Sequence, residues 1–172
     1  MHKLISILLL FIYFKTSAQS TSNHPDCSKR EGLRISTANF FQSDKMNYYD
    51  IKHLKLDIIV QPKSKFVTSI CNYTVLAEQS LDTFAIEFKQ TMSLDSVYLN
   101  NSKTTFSQIN DHIYIALDPV AAPGTLLNIT FYYHGNVAAG FFAGTDANGL
   151  DFTASLSESF QAREWFPAKQ LL

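Results

Sequence analysis

The chain has 172 residues, a net charge of −1 and only 17% charged residues. Those totals exclude the basic footprint of a nucleic-acid binder and give no pull toward an acidic partner. Aromatics reach 13%, with 14 Phe and 8 Tyr against 6 Gly and 5 Pro, a balance that suits a β-rich exported domain.

Residues 1–18 read as a secretion signal. His2 and Lys3 make a short positive start, the run 4–14 is apolar but for Ser6, and Thr16, Ser17 and Ala18 offer small residues for cleavage. The run is short for a bilayer span, so cleavage and a secreted or periplasmic product are expected, with an uncleaved anchor as the alternative. Cleavage would leave about 150 residues, enough for one domain with a core.

Two cysteines remain, Cys27 and Cys71. Export would let them pair, closing a long loop for about 4 kcal/mol in the chain-entropy account. Alternatively Cys71, on an apolar strand, is a small buried hydrophobe and Cys27 is loose. Cys27 lies too far past the apolar run to be a lipid-modified first residue.

Residues 19–47 are polar and lack a sustained period, so they read as a partly irregular surface leader that Phe40 and Phe41 could pin. From Tyr48 the period is two. Leu54, Leu56, Ile58 and Val60 alternate with Lys55, Asp57 and Ile59, which predicts a strand with one buried face. Pro62 marks a turn, because it cannot donate to a ladder and its φ is fixed. Val67, Cys71, Tyr73 and Val75 then face one way against Thr68, Asn72 and Thr74. Shorter strands come next. Phe84, Ile86 and Phe88 alternate around Ala85 and Glu87; Leu94, Val97 and Leu99 precede an Asn100-Asn101 turn; Ile113 and Ile115 oppose Tyr114. After a corner at 119–124, Leu127, Ile129, Phe131 and Tyr133 alternate with Asn128, Thr130 and Tyr132. A hairpin turning at Asp146-Ala147-Asn148-Gly149 leads to the last stretch. Short strands at this spacing, with no helical period, define an all-β antiparallel β-sandwich over 48–172.

Chemistry is sparse along this frame. The five histidines are His2, His24, His53, His112 and His134, and none has a second His or a carboxylate at zinc-ligand spacing. His53 faces outward beside Lys55 and Asp57, and His134 reads as a turn residue before Gly135. There is no Gly-x-Ser-x-Gly elbow, and neither cysteine has a histidine near it in sequence. No catalytic residue and no metal ligand is therefore assigned. Asn72, Asn100 and Asn128 open short glycosylation-type triplets. Residues 156–172 differ, placing Glu158, Arg163, the single Trp165 and Pro167 close together. In one reading Trp165, Phe166 and Pro167 plug the core, with Arg163 and Glu164 on the surface. In the other, a loop presents Glu158 to a cationic group of a ligand.

Four pieces resemble the aminopeptidase N family of zinc metallopeptidases, in the family's order. They are Tyr49-Asp50-Ile51-Lys52-His53-Leu54-Lys55-Leu56-Asp57, Leu94-Asp95-Ser96-Val97 with Asn100, Phe131-Tyr132-Tyr133-His134-Gly135, and Leu156-Ser157-Glu158 with Gln161-Ala162-Arg163-Glu164-Trp165-Phe166-Pro167. The signal and the Asp26-Cys27-Ser28 start resemble the secreted bacterial branch. The resemblance implies an amino-terminal β-sandwich that packs against a thermolysin-like catalytic domain. It also implies that Glu158 is substrate-binding, holding the free α-amine of a peptide. The family's zinc motif, His-Glu-x-x-His with a later glutamate, and its Gly-x-Met-x-Asn motif are not in this sequence, and Ala168 stands where the family usually has cysteine. The expectation is thus a domain cut off before its catalytic partner, with no cofactor of its own and no bond cleavage. The other class of function left open is a stand-alone secreted β-sandwich that binds peptide or carbohydrate.

Overall fold

Alternation along Tyr49–Val60 (β1), shifted once at a bulge between Ile51 and His53, and along Phe66–Ala77 (β2) makes a long antiparallel hairpin through Pro62 and Lys63. The computed structural model describes residues 42–156 and 161–170, which all fall in one unit spanning 39–172. After the hairpin come Leu81–Glu87 (β3), Ser93–Leu99 (β4), Ser102–Thr104 (β5), Ser107–Ile109 (β6), His112–Ala121 (β7) and Leu126–Asn136 (β8). A second hairpin, Phe141–Thr145 (β9) and Asp151–Ser155 (β10), precedes a short 3-10 turn at Ala162–Glu164.

Two antiparallel sheets face each other. The larger has the order β1-β2-β8-β4-β5 and the smaller β3-β7-β6. Register aligns the inward positions into rows, Leu56 with Cys71 and Cys71 with Phe131, then Val97 with Phe131. The smaller sheet answers with Phe84 opposite Ile115 and Ile86 opposite Ile113. Phe84 bridges the layers, its ring 4.7 Å from Tyr49 and 6.5 Å from Phe131. Each such wholly buried side chain contributes about 1.5–3 kcal/mol of burial. The all-β antiparallel sandwich expected from the period of two is the fold observed.

Four sequence readings change in the structure. Met46, within the segment read as leader, is fully buried on a 3-10 turn at Asp44–Tyr48, so residues 42–47 pack with the sandwich. Phe40 and Phe41 lie outside the described residues. On β1 the inner face is only half covered, because an edge strand of a five-stranded sheet opposes a three-stranded one; Leu54 and Val60 are exposed. Ala85 and Glu87, around which Phe84, Ile86 and Phe88 alternate, are buried like their neighbours, so β3 is covered on both faces. His134 lies inside β8 rather than in a turn, and its Nδ1 meets Asp95 Oδ2 at 3.0 Å.

Cys71 is a free, fully buried thiol, and burial pushes its pKa up to about 12. That matches the core-hydrophobe alternative; Cys27 lies outside the described residues. Gly135 has a packing reason: a Cβ there would stand 2.9 Å from Met92 Sδ and 3.2 Å from its Cα.

Candidate functional site

The stretch that carried the functional reading splits into a described part and an undescribed one. Glu158 is outside the described residues, and so is its substrate role. Both flanks are tied down. On the upstream side the β9–β10 hairpin turns where expected. Asp146 Oδ1 accepts from the Asn148 and Leu150 N–H groups at 2.9 and 2.8 Å. These backbone donors, Leu150's first, hold the Asp146 carboxyl below the usual carboxylate range. Past the hairpin the Leu156 N–H donates to Gly140 O at 2.8 Å.

Downstream, residues 161–170 form a strap across the end of the small sheet. Glu87 and Ala168 exchange backbone hydrogen bonds, at 3.1 Å into Ala168 O and 2.8 Å into Glu87 O. Lys89 N–H donates to Arg163 O at 3.1 Å. Tyr73 OH donates to Pro167 O, and Lys169 Nζ donates to Tyr49 O while standing 4.5 Å over that ring. Trp165 packs 5.4 Å from Phe141 and 4.6 Å from Phe166, joining the strap to β9.

Beneath the strap lies a cluster of charges. Arg163 Nη1 is 3.5 Å from Glu87 Oε1, whose side chain has 0% exposure. Burial raises the Glu87 carboxyl above its ordinary value, and Arg163 pulls the other way. His112, the cross-strand partner of Glu87, is also buried and shares its Nδ1 hydrogen bond with Asn110 O at 2.8 Å. Lys89 pairs with Asp111 at 2.9 Å and approaches Glu164 at 3.8 Å. Burial works against ionisation of Asp111, but the Gln90 N–H and Lys89 outweigh it and leave that carboxyl low.

The packing reading of the closing stretch holds in part. Trp165, Phe166 and Pro167 pack as a plug, but Arg163 turns inward onto a buried carboxylate instead of lying on the surface. Glu87 was missed. The available signal was a lone charge between Ile86 and Phe88 in an apolar run, which calls for a partner from elsewhere in the chain. Chemically, a buried carboxylate–guanidinium pair can hold a segment in place. Among the described residues no group of three or more His, Cys, Asp or Glu could hold a metal, so these residues do not fit a zinc site.

The class of architecture is therefore a two-sheet sandwich closed by a strap that leads away from a hairpin. It is similar to part of the M1 zinc metallopeptidases. Over 71% of this chain it matches an M1 zinc metallopeptidase from Deinococcus radiodurans at 19% identity and a TM-score of 0.61. The form of that enzyme bound to a Tyr-Ser-Ala substrate matches at 17% identity and a TM-score of 0.58. Yeast LTA4 hydrolase in complex with bestatin matches over 73% of this chain at 13% identity and a TM-score of 0.58. The chain spans 29% of the bacterial enzyme and 22% of the yeast one. No family model and no curated protein matches it. At these identities the likeness is one of fold.

Proposed function

We propose that this chain is the non-catalytic amino-terminal domain of a secreted or periplasmic zinc aminopeptidase-like protein. In this reading the domain packs beside a thermolysin-like catalytic domain, which supplies the zinc and the residues that cleave the peptide. Its own contribution is Glu158, whose carboxylate receives the free α-amine of the substrate and orients the first peptide bond. Export rests on residues 1–18.

The observation that carries the reading is the anchoring on both sides of Glu158. Leu156 is bonded to Gly140, and Arg163 to Ala168 are fixed on the buried Glu87. A carboxylate that must meet an amine within hydrogen-bond reach gains from such fixed flanks, because orientation is most of what it supplies. A second feature agrees. The half-covered apolar edge of β1 runs into the hairpin, where Ile58, Val60, Phe141 and Trp165 line a cleft of about 210 Å³. Surface of that kind suits a neighbouring domain.

The first test is genetic and cheap: read the nucleotides beyond the codon for Leu172 in all three frames. A His-Glu-x-x-His codon pattern within the next several hundred codons supports the proposal, and its absence removes it. With that gene product in hand, Glu158→Gln should raise KM for peptides with a free amino terminus far more than for acetylated ones. Equal effects on both would take the amine contact away from Glu158.

A further inference from the structure

On the face of the large sheet turned away from the core, strands β1, β2, β8 and β4 floor a groove of about 380 Å³. Its side chains come from two cross-strand rows. One runs Asp57, Ile70 and Tyr132, and the next runs Ile59 and Thr68, with His134 continuing that row just beside the groove. The bulge between Leu94 and Ser96 brings Asp95 into the same groove. The two carboxylates thus come from opposite walls, on strands about 14 Å apart at three strand spacings.

Each carboxylate is already partnered. Asp57 pairs with Lys55 at 2.8 Å and Asp95 with His134 at 3.0 Å, all four side chains being well exposed. Lys55 balances the charge of Asp57, His134 Nδ1 occupies one site on Asp95, and carboxylate lone pairs remain for neutral hydroxyl donors. Between the walls the floor is apolar. Tyr132 is 38% exposed, and Tyr98 holds its ring in a T-shaped contact at 5.5 Å. Hydrogen-bonding side chains continue along the same face, Thr130 with Asn72 at 2.9 Å and Thr74 with Asn128 at 3.1 Å.

A ligand matching this surface has one apolar face for the ring and a rim of neutral hydroxyls for the walls. An extended peptide is a poorer fit. Peptides bind sheets by adding to an open edge, and β2 and β8 are paired on both sides, so the floor has no free main-chain donors to offer. We infer that this groove is a binding site for a neutral oligosaccharide. The groove sits on the opposite side of the sheet from the residues that pack the core.

The full chain should be titrated with neutral hexasaccharides of glucose, mannose and N-acetylglucosamine, and separately with trilysine, following backbone amide shifts and heats of binding. One of the sugars is expected to bind, with shifts concentrated at Thr68, Ile70, Tyr132 and His134. Tyr132→Ala should weaken it about three- to tenfold, as loss of one aromatic contact implies, and Tyr132→Phe should keep most of the affinity. Trp165 emission, which reports the strap, should be the same in both variants, separating a lost contact from a lost fold. Absence of shifts with all three sugars, affinity unchanged in Tyr132→Ala, or binding of trilysine alone would overturn the assignment.

Discussion

Glu87 and Arg163 meet at 3.5 Å under the strap, the carboxylate with no solvent exposure and the guanidinium side chain with 14%. Removing one member of a buried pair leaves the other charge stranded, which costs about 3–5 kcal/mol, whereas the intact pair contributes little net stability. Arg163→Ala is therefore expected to lose about 3 kcal/mol in urea unfolding. Glu87→Gln keeps a hydrogen-bond acceptor for the guanidinium and should lose only about 1 kcal/mol. Small and equal losses would mean that the backbone bridge at Ala168 alone secures the strap.

The same carboxyl predicts a pH signature. Burial holds Glu87 above the ordinary value of 4.5 in spite of Arg163, so the folded state binds this proton more tightly than the unfolded chain. Its contribution to stability is full below 4.5 and is lost as pH rises through the raised folded value. Asp50, Asp82, Asp111 and Asp146 are shifted downward and act oppositely, losing their contribution as pH falls. Asp50, Asp82 and Asp146 persist unchanged in Glu87→Gln and cancel in the comparison, while Asp111, which repels Glu87, changes with it. Wild-type stability minus that of Glu87→Gln should be largest below 4.5 and decline as pH rises above it. A difference that climbs with pH would contradict the burial of this group.

How far the fold was legible depends on the quantity each signal measures. Alternation at Val67, Cys71, Tyr73 and Val75 reports which way side chains point, and there the core is where the period put it. The same signal failed on β1. Leu54, Ile58 and Val60 do point inward, but whether anything covers them depends on the width of the opposite sheet, which is a tertiary fact. It failed in the other direction at Glu87, where a distant strap supplies the cover. Strands β5 and β6 gave no signal because three residues are too few to show a period. Of the candidate site, the plug of Trp165, Phe166 and Pro167 was readable, while the inward turn of Arg163 required knowing where Glu87 would lie.

Gly135 tests one of the motif positions directly. A methyl group there meets Met92, a buried side chain whose backbone Cα is also close at 3.2 Å. Gly135→Ala should cost about 1–3 kcal/mol through overpacking. Met92→Ala removes the Sδ contact but leaves the Cα one, so adding it should restore part of that loss relative to Met92→Ala alone. The four unfolding free energies of the double-mutant cycle decide this; additive losses would place the strain elsewhere.

The hairpin and the β1 edge carry the last prediction. Phe142 and Phe152 are 52% and 42% exposed, and Leu150 and Leu156 are more so. Phe142 pairs with Ala154 and Phe152 with Gly144, which puts both rings on one face of the hairpin. Lys63 N–H donates to Phe152 O at 3.2 Å, which sets the hairpin beside the β1–β2 turn, while the exposed Val60 lies with Phe141 in the neighbouring cleft. Exposed apolar side chains this close together favour association, and the purified chain is expected to self-associate and to bind a hydrophobic dye. Replacing both rings, Phe142→Ser with Phe152→Ser, should weaken association by about tenfold or more in sedimentation, since each buried Phe is worth about 1.5–3 kcal/mol. Unfolding free energy should change far less, because neither ring is buried in the core. A chain that stays monomeric and dye-silent at high concentration would show that this surface tolerates water, and the case for a neighbouring domain would lose its second support.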